Sequence, residues 1–151
     1  MPDSHSFFTK AQKEEILQAI RQAELDTSGE IRLHIEKECE ESVLDRAAFL
    51  FKKLKMDNTA QRNGVLFYLA FGSRKFAILG DSGINQCVPE NFWNAIKEEM
   101  AEHFARGEFA EGLSKGILTA GKSLKEFFPH QKDDVNELSD EISFGDQEVK
   151  K

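Results

Sequence analysis

Three side chains that carry oxygen donors, Glu30, Asn63 and Asp81, each stand beside a glycine at what reads as the end of a strand. Asp57, Asn58 and Ser82 lie on the flanking loops, and Asp26 sits just upstream of Glu30. Carboxylate, amide and hydroxyl oxygens in one place suit a hard cation, Ca²⁺ or Mg²⁺, better than zinc, because no Cys or His belongs to the group. Calcium takes about six to eight oxygens, so backbone carbonyls and water would complete the shell. The same residues are also ordinary turn chemistry, with Asp81 and Ser82 capping the turn after a strand. Both readings stand at this stage.

No other grouping has the pattern of a reaction centre. Cys39 begins the run CEESVLDR, which has one residue too many before Arg46 for a cysteine-phosphatase loop, and acids where backbone donors would cradle a phosphate. There is no Ser-His-Asp order, HExxH, P-loop or EF-hand pattern. His34 is expected on a solvated strand face. His103 falls near a helix end, where a positive charge suits the dipole. The catalytic residues are therefore unknown, no organic cofactor is implied, and the reading leans away from an enzyme.

The elements that must position the oxygen donors can be read from the pattern. Thr9 with Gln12 is a capping box for a first helix, with Ile16, Leu17, Ile20 and Ala23 at helical spacing. Glu30–Glu38 alternates, with Ile31, Leu33 and Ile35 on one face and Arg32, His34 and Glu36 on the other, as in a half-buried strand. Ser42 caps a second helix whose buried stripe is Leu44, Ala47, Phe51 and Leu54. Val65–Phe71 and Lys75–Leu79 read as a hairpin around Gly72-Ser73. Its outer ends bring Asn63 and Asp81 together.

Pro89 fits the first position of a third helix, with Phe92, Ile96, Met100 and Phe104 inward. A fourth runs over 108–128, with Phe109, Leu113, Ile117, Leu124 and Phe128 inward. Gly112 and Gly116, four apart within it, imply a close helix contact. The order α-β-α-β-β-α-α predicts a three-layer α/β/α sandwich over a small mixed sheet. Strands one and two should be parallel through a right-handed crossover, and strand three should return antiparallel.

Composition narrows the function classes. A chain of 151 residues with 40% hydrophobic content supports one domain with a real core. The domain is placed at 1–129. Residues 130–151 carry seven acids against three lysines and form an acidic tail expected to be disordered. Val135, Leu138 and Ile142 offer a short helical stripe within it. The net charge of −7 argues against nucleic acid. No apolar stretch approaches a membrane span or a signal peptide, so a cytoplasmic monomer is expected, with a protein partner recruited through the acidic tail.

Four segments together resemble the TPM domain family. They are Ser28-Gly29-Glu30-Ile31, Asn63-Gly64-Val65-Leu66, Gly80-Asp81-Ser82-Gly83-Ile84, and Phe104-Ala105-Arg106-Gly107-Glu108-Phe109 followed by Gly112-Leu113. The resemblance spans residues 10–128 and implies an α/β/α sandwich with a divalent cation, usually calcium, in the loops. Plant members of the thylakoid lumen have been assigned an acid phosphatase activity. Two functions follow: a cation-binding regulatory or interaction module, or a metal-dependent phosphatase of low activity. The ligands implied are Asp81, Asn63, Glu30, Asp57 and Ser82. Unlike many members, this chain shows no signal peptide or membrane helix, and its loop Asp57–Arg62 holds one acid and one base.

Overall fold

The computed structural model describes residues 6–130 and 142–145. Thr9 does cap the first helix, α1 (Lys10–Asp26), and Gln12 completes the box, its backbone N–H donating to Thr9 at 3.1 Å. The chain continues through β1 (Glu30–Glu36), α2 (Val43–Lys53), β2 (Gly64–Ala70), β3 (Lys75–Gly80), α3 (Ser82–Cys87), α4 (Asn94–Ala105), α5 (Phe109–Leu124) and β4 (Ser143–Phe144). The sheet order is β3-β2-β1-β4. β1 and β2 run parallel with Glu30 beside Gly64, and β2 and β3 run antiparallel with Val65 beside Gly80.

Helices cover both faces. Ile31, Leu33, Ile35, Val65, Phe67 and Leu69 pack with residues of α1, α4 and α5 in the larger core. Leu66, Tyr68 and Ala70 point the other way, against Ala47, Leu50 and Phe51 of α2. The three-layer mixed α/β arrangement follows from the two periods in the sequence, 3.6 in the helices and 2 in the strands.

The glycines of α5 have the close-packing role their spacing implied. A Cβ on Gly112 would lie 2.7 Å from the Phe104 ring of α4, and one on Gly116 would lie 2.6 Å from Met100 Sδ. Met100 and Phe104 are one turn apart on α4, so the two glycines seat α5 on a single ridge.

Several local expectations need correcting. The hairpin closes through four residues, Phe71–Arg74, because Ala70 pairs with Lys75; Gly72-Ser73 is its centre and not the whole turn. Leu44 is 57% exposed, and Leu50 takes its place in the buried stripe of α2. α3 was not foreseen, Pro89 falls in the turn before α4, and α5 ends at Leu124. β1 is buried on both faces, so His34 is not solvated. A parallel strand beside a crossover helix has both sides covered, whatever its alternation suggests.

The acidic tail is corrected in part. Ser143 and Phe144 pair parallel with His34 and Ile35 as an edge strand, and Ile142 packs on the larger core. The expected disorder therefore does not hold at residues 142–145. Val135 and Leu138, with the rest of 131–141 and 146–151, lie outside the described residues.

Candidate metal centre

The three strand ends do converge. The Glu30 backbone N–H donates to Asn63 O at 3.1 Å, and the Asp81 N–H donates to Gly64 O at 2.9 Å. Glu30, Asn63 and Asp81 are all buried. The glycines that flank them allow the loops to touch. A Cβ on Gly64 would stand 2.8 Å from Met56 O, and one on Gly83 would collide with Gln61 O. The 56–62 loop therefore lies directly on the start of β2 and on α3.

Asp81 is committed on three sides. Arg62 grips it with two hydrogen bonds, Nε to Oδ2 at 2.8 Å and Nη2 to Oδ1 at 3.0 Å. The Ser82 backbone N–H donates to Oδ1 at 2.7 Å, which makes Asp81 the N-cap of α3. The capping reading of Asp81 is thus correct, and the carboxylate also carries an internal countercharge. Arg62 holds its grip from a left-handed backbone, φ +51°, and its side chain is 50% exposed. Its pKa is raised, chiefly by the hydrogen bond to Asp81, with a smaller contribution from Asp57.

The other expected ligands divide. Asn63 Nδ2 donates to Ser28 O at 3.1 Å, while its buried Oδ1 has no hydrogen-bond partner among the described residues. Asp57 faces Lys52 Nζ at 3.4 Å and is near enough to Arg62 to act on its charge. Ser82 acts through its backbone; its side chain is exposed. Glu30 meets Asn63 through the backbone, its N–H donating to the Asn63 carbonyl. Among the described residues no three His, Cys, Asp or Glu side chains stand close enough to hold a metal. A cation would therefore draw on Asp81, the orphaned Asn63 oxygen and backbone carbonyls, and only once Arg62 has left Asp81.

A second polar cluster, at the opposite end of β1, was missed. Glu36 is buried and accepts from Arg46 Nε at 2.7 Å, Arg46 Nη2 at 2.9 Å and the Tyr68 hydroxyl, with His34 Nε2 at 3.3 Å. His34 Nδ1 lies 2.7 Å from Ser143 Oγ of β4. Burial raises the Glu36 pKa, but the hydrogen bonds from Arg46, His34 and Tyr68 outweigh it and hold the carboxyl at about 2. Burial and the bond to Glu36 push the Tyr68 hydroxyl well above its usual range. The signal in the sequence was β2 itself: GVLFYLA is apolar on both faces, so its parallel neighbour had to be covered on both faces too.

Comparison with known proteins adds to this geometry. The family model described as TPM domain matches residues 1–123. The chain is 46% identical to the BA42 protein of the psychrophilic bacterium Bizionia argentinensis, with a TM-score of 0.88 over 93% of this chain and 97% of that one. The N-terminal domain of a P. gingivalis protein shares the fold at 22% identity, with a TM-score of 0.69 over 83% of this chain and 82% of that one. The N-terminal domain of a Corynebacterium glutamicum protein does so at 11% identity, with a TM-score of 0.61 over 90% and 80%. No curated protein matches the chain.

Proposed function

This chain is a member of the TPM domain family, and on that premise we propose that it is a divalent-cation-binding module, taking Ca²⁺ in preference to Mg²⁺ at the sheet end around Asp81. The observation that carries the reading is a buried, unsatisfied Asn63 Oδ1 at the same sheet end as a buried carboxylate whose countercharge is a half-exposed arginine. A buried oxygen without a donor is costly, and a cation beside it would relieve that cost. Calcium suits the place because it accepts irregular oxygen shells completed by water, whereas Mg²⁺ demands a near-ideal octahedron. Arg62 acts as the resident cation: metal and guanidinium compete for one carboxylate. Affinity should therefore be low, with a Kd of about 10⁻⁴–10⁻³ M.

In this reading the domain is regulatory, works as a cytoplasmic monomer and meets a protein partner through its acidic tail. A phosphatase is the lesser alternative. The guanidinium nearest Asp81 is already bound to it, and Arg74 lies at the far, turn end of the hairpin.

Calorimetry and amide chemical shifts under Ca²⁺ titration test the reading. Wild type should bind weakly, Arg62→Gln more tightly because the competitor is gone, and Asp81→Asn not at all. The absence of heat and of localised shifts in both wild type and Arg62→Gln would exclude the site.

A further inference from the structure

A cavity of about 390 Å³ opens between the β2–β3 turn and the corner joining α4 to α5, at the opposite end of the sheet from Asp81. The family segment Phe104–Phe109 frames it, a motif that the cation site leaves without a role. Its walls are aromatic. Phe76 and Phe104 meet edge to face with centroids 5.0 Å apart, and Phe104 and Phe109 stack at 5.3 Å. All three are only partly buried, so ring surface remains open to the cavity. Gly107, at φ +79°, leaves the space beside it open, since a Cβ there would meet nothing within 4 Å. The volume falls in the range of about 300–1,000 Å³ usual for small organic ligands.

The lining contains two charged residues, Arg74 and Lys75, and no acid, on a chain of net charge −7. They are not equivalent. Lys75 Nζ is turned away to the carbonyls of Cys39, at 3.0 Å, and Glu41, at 3.2 Å. Arg74 is exposed, and its guanidinium has no hydrogen-bond or ion-pair partner among the described residues. It also holds φ +56°, where glycine or asparagine would be less strained. The turn thus carries a long cation at a position that turn chemistry alone would give to a smaller residue.

We propose that this cavity binds small organic monocarboxylates, with the apolar body against Phe76, Phe104 and Phe109 and the carboxylate on Arg74. A planar guanidinium matches a carboxylate with two parallel hydrogen bonds. One available cation in an acidic molecule favours a monoanion over a phosphate dianion.

The test is amide-shift mapping of the full chain with 4-phenylbutyrate and with its neutral amide as probes. The acid should perturb Phe76 and the segment from Phe104 to Phe109, and bind about tenfold more tightly than the amide, the gain expected of a charge-assisted pair. Arg74→Gly should bring the acid down to the level of the amide while leaving the protein at least as stable, because glycine relaxes the turn. Ala101→Glu, an exposed helix position on the cavity wall, should repel the acid from a folded protein. Shifts centred elsewhere, no saturation, equal binding of acid and amide, or an Arg74→Gly variant that keeps the difference between them would overturn the proposal.

Discussion

Two arginine–carboxylate pairs sit at opposite ends of the sheet, and their geometry is nearly the same. Arg62 grips Asp81 at 2.8 and 3.0 Å; Arg46 grips Glu36 at 2.7 and 2.9 Å. Their surroundings differ. Arg46 is 24% exposed against 50% for Arg62. Glu36 also accepts from Tyr68 and His34, and the chain just after β4 packs over it so closely that a Cβ on Gly145 would stand 2.5 Å from its carboxylate. Asp81 has one backbone donor besides its arginine. A charge pair with every carboxylate lone pair engaged and the carboxylate itself shut from solvent is a structural fastener. The same pair with one half in water is exchangeable, because leaving costs the arginine little once water can replace the carboxylate. The difference teaches which carboxylate is available to a ligand.

The largest effect should come from breaking the fastener. Glu36→Ala leaves Arg46 and Tyr68 without their acceptor, and removal of one partner of a buried pair costs about 3–5 kcal/mol. In metal-free buffer Asp81→Ala should cost about 1 kcal/mol, the worth of a helix cap. Urea unfolding of both variants measures the contrast, and equal losses would dissolve it.

Acid should act on the same cluster with a slightly smaller effect. The Glu36 carboxyl lies at about 2 in the folded protein against an ordinary value of 4.5. Its folded pKa is depressed, so the stability it contributes is complete above the ordinary value and is lost as pH falls through about 2. Linkage sets the size at up to about 3 kcal/mol. The stability gap between wild type and Glu36→Gln should narrow from pH 6 toward the folded pKa. A constant gap would mean that the carboxylate is not held ionised by its neighbours.

The smallest of the three effects turns one end of the sheet into something like the other. Truncation after His130 removes β4, with its buried Phe144 and the Ser143 contact to His34. Burial of one phenylalanine side chain is worth about 2 kcal/mol, so the melting temperature should fall by several degrees, and the Glu36 pKa, followed by carboxyl carbon shifts, should rise toward its ordinary range. An unchanged melting temperature and pKa would show that the tail adds nothing to the fold, as its composition alone suggests.

Local spacing was enough to specify the first helix and its capping box, the parallel crossover, the hairpin and the glycine seats of α5. Each of these depends on residues within a turn or two of one another, or on a face period that only one element satisfies. The convergence of Glu30, Asn63 and Asp81 was also legible, because a hairpin after a crossover leaves no other place for those ends. Three things were decided only in the folded molecule: the countercharge on Asp81, the burial of His34 and Glu36, and the return of Ser143–Phe144 to the free edge of β1. The physical reason is common to all three. A carboxylate has the same letter whether it waits for a metal, caps a helix or holds an arginine. Which of these it does depends on the dielectric around it and on the donors that packing brings within 3 Å.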